Sequence, residues 1–285
     1  MRRLATTLVL GMILVAGCGP TRAPAGPVAG PIVGPAEVIE KHNAWADSIP
    51  HIWARTALMM NFPSGNPEDG RLQYDLDGHV FLQKPESLYV HGEVLGKDVF
   101  CLGMNAERFW LWIGPRVNTI WTGRRGGPGE RRFIISPEDL MVALGLFRIE
   151  LDREAKAVFV AQERHYVLSE EREFAGTRVP MRRIWFDRHT LRPVRVDLFD
   201  DAGQRLLMAE LLKYERIGQV EMCTVYRARF YAAADEMDLV LRLNSVRLDK
   251  PPAAGVFKYR VPSGAVERDL DTQPDTSKEP EYDKP

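Results

Sequence analysis

Along residues 52–121 apolar and polar side chains alternate with a period of two. The runs are Ala54/Thr56/Leu58/Met60/Phe62, Leu72/Tyr74/Leu76, Val80/Leu82, Leu88/Val90/Gly92/Val94, Phe100/Leu102/Met104 and Phe109/Leu111/Ile113. Alternation of this kind turns one face to a core and the other to solvent, which predicts β-strands. Pro63-Ser64-Gly65-Asn66-Pro67, Asp77-Gly78, Lys84-Pro85, Leu95-Gly96-Lys97-Asp98 and Gly114-Pro115 punctuate the series as turns. Short strands joined by short turns make an antiparallel meander rather than a βαβ succession. The pattern resumes over 157–161, 165–169, 183–187, 194–199, 206–214, 224–231 and 239–248.

Two stretches carry a helical pattern instead. Val38, His42, Trp45 and Ile49 form one stripe of an amphipathic helix, which Pro50 stops. Later, Ser136 fits an N-cap, Pro137 the first helical position, Glu138 and Asp139 the first turn, and Gly145 the stop. The body of this helix, Leu140 to Leu144, is apolar all round and so predicts burial on both sides. The fold class is mainly β (α+β), with about eleven antiparallel strands and two or three helices. A sheet this long must curl to bury its face, and its interior becomes a candidate cavity.

The start of the chain reads differently. Arg2 and Arg3 precede an apolar stretch from Leu4 to Val15, and Val15-Ala16-Gly17-Cys18 follows. This is the layout of a secretory signal, too short for a transmembrane helix of ~20 residues. With a cysteine just past the small residues it resembles a bacterial lipobox. That resemblance implies cleavage before Cys18, a diacylglycerol on its sulfur, and, since residue 19 is Gly rather than Asp, retention at the outer membrane facing the periplasm. The division is then a signal peptide at 1–17, a Gly/Pro-rich tether at 18–35, a folded domain at 36–264 and a charged, disordered tail at 265–285.

Composition excludes more than it selects. Lys and Arg total 38 against 39 for Asp and Glu, a net charge of −1 that gives no reason to expect nucleic acid. Cys101 and Cys223 lie in strand-like runs and are compatible with a periplasmic disulfide or with two free thiols. No G-x-S-x-G, P-loop or dinucleotide fingerprint occurs, and the paired acids sit in polar turns, so no enzyme activity and no cofactor beyond the lipid on Cys18 are expected. The six histidines show no paired metal spacing; His79 and His91 face each other only if their strands are neighbours, and no metal site is expected.

The order of elements resembles the LolA/LolB superfamily of periplasmic lipoprotein and lipid carriers, which includes the LppX/LprG-like carriers and RseB-like regulators. Local strings carry the likeness: Gly78-His79-Val80-Phe81-Leu82-Gln83-Lys84-Pro85, Glu107-Arg108-Phe109-Trp110-Leu111-Trp112, and Pro251 to Phe257 with Val261-Pro262. The resemblance covers roughly residues 36–264 and is closest in layout to LolB. It implies a curved half-barrel closed by helices over an apolar cavity for acyl chains, and hence a role in transport or outer-membrane insertion of lipids or lipoproteins. Its implied partners are those acyl chains, the membrane and a periplasmic carrier protein. An envelope protein of the same fold with a filled cavity, regulatory or structural, is the competing class.

Several residues follow as candidates. Leu95 stands at a hairpin tip, where turns favour Gly, Asn, Asp and Pro, and by resemblance to LolB it matches a protruding leucine that enters the membrane; folding back onto the rim is the alternative. Leu140, Met141 and Leu144 are candidates for a cavity lid, and Leu58, Met60, Tyr74, Val90, Phe100 and Trp110 for its lining, with ordinary core packing the alternative for Trp110. Arg124, Arg125, Arg131 and Arg132 flank a flexible glycine loop, solvated or facing lipid head groups.

Overall fold

The computed structural model describes residues 30–63, 70–114, 117–129, 137–150, 156–231 and 236–272. Cys18 with the signal and most of the tether, Arg131, Arg132 and Ser136 lie outside the described residues.

Helix α1 spans Pro35–Asp47 and begins as its sequence directs, with Pro35 in the first turn and Glu37 beside the positive end of the helix dipole. Glu37 also pairs with Lys41 one turn on, at 2.8 Å. The helix buries Val38, His42 and Ala46, and Ser48 ends it by accepting no further turn and donating its Oγ hydrogen to the Trp45 carbonyl at 2.6 Å.

Strands β1 (His51–Pro63), β2 (Arg71–Gln83), β3 (Ser87–Val94), β4 (Lys97–Met104), β5 (Arg108–Ile113) and β6 (Thr119–Arg124) form the first meander. Helix α2 (Pro137–Ala143) intervenes. The second meander is β7 (Lys156–Ala161), β8 (His165–Phe174), β9 (Thr177–Asp187), β10 (Pro193–Phe199), β11 (Arg205–Ile217), β12 (Val220–Tyr231) and β13 (Glu236–Arg247). A last strand, β14 (Val266–Asp269), closes the described chain. All fourteen lie in one sheet, in the order β14-β6-β5-β4-β3-β2-β1-β13-β12-β11-β10-β9-β8-β7. The two meanders become one sheet because β1 pairs with β13, Leu58 opposite Leu241 and Met60 opposite Leu239.

The sheet curls around α2. That helix touches β10 and β11 on one limb and β4 on the other, strands six and seven places apart in the order. In a flat sheet seven spacings would be about 34 Å, whereas a seven-residue helix is only about 10 Å long. Gly145, with φ of 73°, ends the helix where the sequence places the stop, and Leu146 N–H donates to the Met141 carbonyl at 3.2 Å. Met141, Ala143, Leu144 and Leu146 then join one continuous core with Ile52, Leu82, Tyr166, Phe186, Phe230 and the other inward residues of the sheet.

Three expectations need correction. Asp77-Gly78 is no turn: β2 runs straight through it, and a Cβ at Gly78 would stand 1.9 Å from the His91 carbonyl oxygen, so the glycine permits close approach of β3. Thr119–Arg124 is a strand that the period-two count misses, because both its faces are largely buried. The first residues of the charged tail are not disordered: Val266–Asp269 pairs in parallel with β6, and Asp271 accepts from Arg124 N–H at 2.7 Å and Gly129 N–H at 3.0 Å. Of the two states open to the cysteines, the structure holds two buried free thiols, Cys223 in the main core and Cys101 in a second cluster on the other face.

Candidate functional site

The concave face narrows toward full burial at the α1 end and opens toward the β3–β4 hairpin. Leu58 is buried there, while Met60, Tyr74, Val90 and Phe100 remain half-buried on the same face. Met237 and Leu239 of β13, which the sequence did not single out, continue this apolar surface. Their strand's alternation carried the signal. From α2, Leu140 is half-buried and Met141 and Leu144 are each 8% exposed, packed into the same core.

Trp110 does not share that surface. It is placed on the convex face with Cys101, Trp112 and Ile120, beneath Tyr259, whose ring meets the indole edge to face at 5.6 Å. The opposite residue, Gly103, leaves room for it, since a Cβ there would stand 2.1 Å from the indole. Trp110 is thus core packing of the outer layer, held by a C-terminal segment whose position alternation could not foretell.

The β3–β4 hairpin closes in two residues, with Val94 paired to Lys97. Leu95 and Gly96 take φ of 51° and 73°, the left-handed pair of a type I′ turn. Glycine adopts this freely and asparagine readily; for leucine it costs about 1–2 kcal/mol. Leu95 nevertheless stands there 98% exposed, so it is not folded back onto the rim. Val94, Ile113 and Val117 are exposed at the same end of the sheet.

The arginine loop lies at the other end. Arg108 pairs with Arg124 across β5 and β6, a full strand length from Ile113. Asp271 holds Arg124, and Glu86 lies 3.6 Å from Arg125.

A buried ion pair lies inside the curl on the β8–β9 limb. Glu170 receives both amino hydrogens of Arg182 at 2.6 and 2.8 Å, and the guanidinium lies 4.3 Å from the centre of the Phe147 ring. Glu170 follows Tyr166 and Leu168 at inward positions, so alternation alone turns it toward the core. Nearby, His42 Nε2 lies 2.9 Å from the Phe147 carbonyl. A carbonyl only accepts, so Nε2 carries the hydrogen, and burial lowers the imidazole pKa to about 4. Two cavities of about 200 and 330 Å³ lie at this α1 end. They are lined by Lys41, His42, Trp45 and Arg192, and by Ser48, Arg216 and Glu221, not by the apolar set above.

These elements form one curled antiparallel sheet wrapped around a short apolar helix. The fold is similar to that of solved LolA superfamily and related structures. A LolA superfamily protein from Nitrosomonas europaea superposes with a TM-score of 0.52 at 13% identity, over 80% of this chain and 99% of that one. A DUF1329 family protein from Desulfovibrio piger gives 0.51 at 14% identity, over 78% and 95%. A domain described as a candidate outer membrane lipoprotein-sorting protein, from Vibrio parahaemolyticus, gives 0.50 at 11%, over 78% and 94%. No family model and no curated protein matches the sequence. At these identities the likeness is one of fold.

Proposed function

We propose that this is a membrane-anchored periplasmic lipoprotein that binds acyl chains of lipids or lipoproteins and passes them into the outer membrane. Cys18 carries the anchor, the half-buried face of Met60, Tyr74, Val90 and Phe100 receives the chains, and α2 with Leu140, Met141 and Leu144 gates them. A soluble periplasmic carrier supplies the cargo. Transfer runs by mass action between apolar environments, without catalysis, metal or nucleotide.

The observation that carries the reading is Leu95, fully exposed and in a backbone conformation unfavourable to it. Two costs borne at one residue point to a use outside the fold. Entering a membrane returns up to ~2 kcal/mol for one leucine, and the exposed Val94, Ile113 and Val117 present the same end to the same surface.

Leu95→Glu tests it: thermal stability stays unchanged, while delivery of a fluorescent acyl chain or lipidated client into vesicles falls to the level seen without protein. Unchanged delivery overturns the role of this residue. The anchor is tested by Cys18→Ser, expected to leave an uncut precursor unlabelled by palmitate.

The continuous packing of Met141 and Leu144 into the core favours a second reading, a non-carrier of the same fold whose interior is filled by its own side chains. Native mass spectrometry of protein taken from membranes separates the two, since only the carrier retains lipid.

A further inference from the structure

On the convex face, away from the apolar trough, His79 of β2 and His91 of β3 stand directly opposite each other. Their rings are 6.4 Å apart and within 19° of parallel. The approach is close because the adjacent pair in the register is Gly78 opposite Gly92, which brings β2 onto the β3 backbone. Glu93, two residues beyond His91, shares its face, and the register of β3 with β4 shifts between Gly92 and Glu93. Shifts of this kind re-aim side chains. One ligand atom from each of His79, His91 and Glu93 lies within 4.8 Å of the other two.

The environment of His91 adds a second observation. Its Nδ1 lies 3.6 Å from Glu93 Oε1 and its Nε2 2.7 Å from Asp98 Oδ1. With Nε2–H donating to Asp98, the Nδ1 lone pair is left on the side of Glu93. A carboxylate on the far nitrogen is the usual partner that fixes the tautomer and orientation of a metal-bound imidazole. Aromatic rings flank the pair, Trp53 at 5.6 Å from His79 and Tyr89 at 6.3 Å from His91.

We propose that His79, His91 and Glu93 bind one divalent transition-metal ion, with Asp98 as the residue that positions His91. Two imidazoles and one carboxylate suit Zn²⁺ and its neighbours Co²⁺, Ni²⁺ and Cu²⁺, and not Ca²⁺ or Mg²⁺, which take all-oxygen sets. Ligands about 2.0–2.2 Å from the ion sit roughly 3.4 Å from each other, so small rotations of His79 and Glu93 complete the set. All three side chains are only partly buried. A fourth position is therefore open to water.

The test is a Zn²⁺ titration of the untagged full-length protein after removal of metal with a chelator, with Co²⁺ absorption as a second readout. One ion per chain is expected, with a Co²⁺ spectrum of tetrahedral intensity. His79→Gln/His91→Gln loses both. Asp98→Asn keeps the ligands and weakens binding by ~10–100-fold, and because Asp98 is exposed its melting temperature without metal stays that of the wild type. Absence of stoichiometric binding, or binding unchanged in the double variant, overturns the site and leaves His91 as an imidazole paired with two carboxylates. Acyl-chain delivery plays no part in the readout, so this outcome is independent of the carrier reading.

Discussion

Glu170 and Arg182 stand directly opposite each other on β8 and β9 and form a two-pronged ion pair inside the curl, with side chains 7% and 17% exposed. The pair occupies positions that the neighbouring Leu168 and Ile184 fill with apolar groups. Removing one member of a buried pair strands the other charge, at a cost of about 3–5 kcal/mol, whereas replacing both with apolar residues is often nearly neutral. Urea unfolding should therefore find Arg182→Met and Glu170→Leu each strongly destabilising and the double variant close to wild type. Additive losses would show that each side chain matters through separate contacts.

His42 makes stability depend on pH. Burial lowers its pKa from 6.5 to about 4. Between those values the unfolded chain takes up a proton that the folded one refuses, so the unfolded state binds more protons and stability rises with pH. On acidification from 6.5 to about 4, the folded state should lose up to about 3 kcal/mol from this one group. Other acids titrate in part of that window, so the measure is a difference. His42→Gln, which retains a donor for the Phe147 carbonyl, should have a shallower decline of melting temperature with falling pH than the wild type. Parallel profiles would refute the assignment.

For α2, Leu144→Ala should cost about 2–5 kcal/mol, the range for a leucine truncated in packed surroundings. A gate also predicts faster escape of a bound fluorescent fatty acid. Loss of stability with unchanged retention would favour the filled-interior alternative.

Most of the sheet was legible because a half-buried strand must alternate. The seven runs after α2 became β7 to β13 in order, and Val38 and His42 marked the buried stripe of α1. What stayed hidden depends on contacts distant in sequence. The segment Val266-Glu267-Arg268-Asp269 is exposed throughout and belongs to the sheet only through its backbone pairing with β6. Alternation separated Trp110 from Leu111 but did not say which face was concave; Tyr259, far along the chain, decides that. Likewise His79 and His91 share no motif, and only the β2–β3 register brings them together. Leu95 was readable for the opposite reason, because turn chemistry is local and a leucine breaks it.

That local violation yields a measurement in which stability and function move in opposite directions. In a type I′ turn the favoured pair is Asn-Gly, and here Gly96 already fills the second place. Leu95→Asn relieves the left-handed strain and gives up no packing, since the side chain is 98% exposed. Stability should rise by about 1 kcal/mol, seen as a melting temperature ~2–4 °C higher in a domain of this size. If the leucine is there to enter a membrane, the same variant should deliver acyl chains to vesicles no better than Leu95→Glu, although asparagine adds no charge to repel the surface. A more stable protein with intact delivery would mean that the leucine is tolerated rather than used. A less stable one would mean that Leu95 has a packing partner.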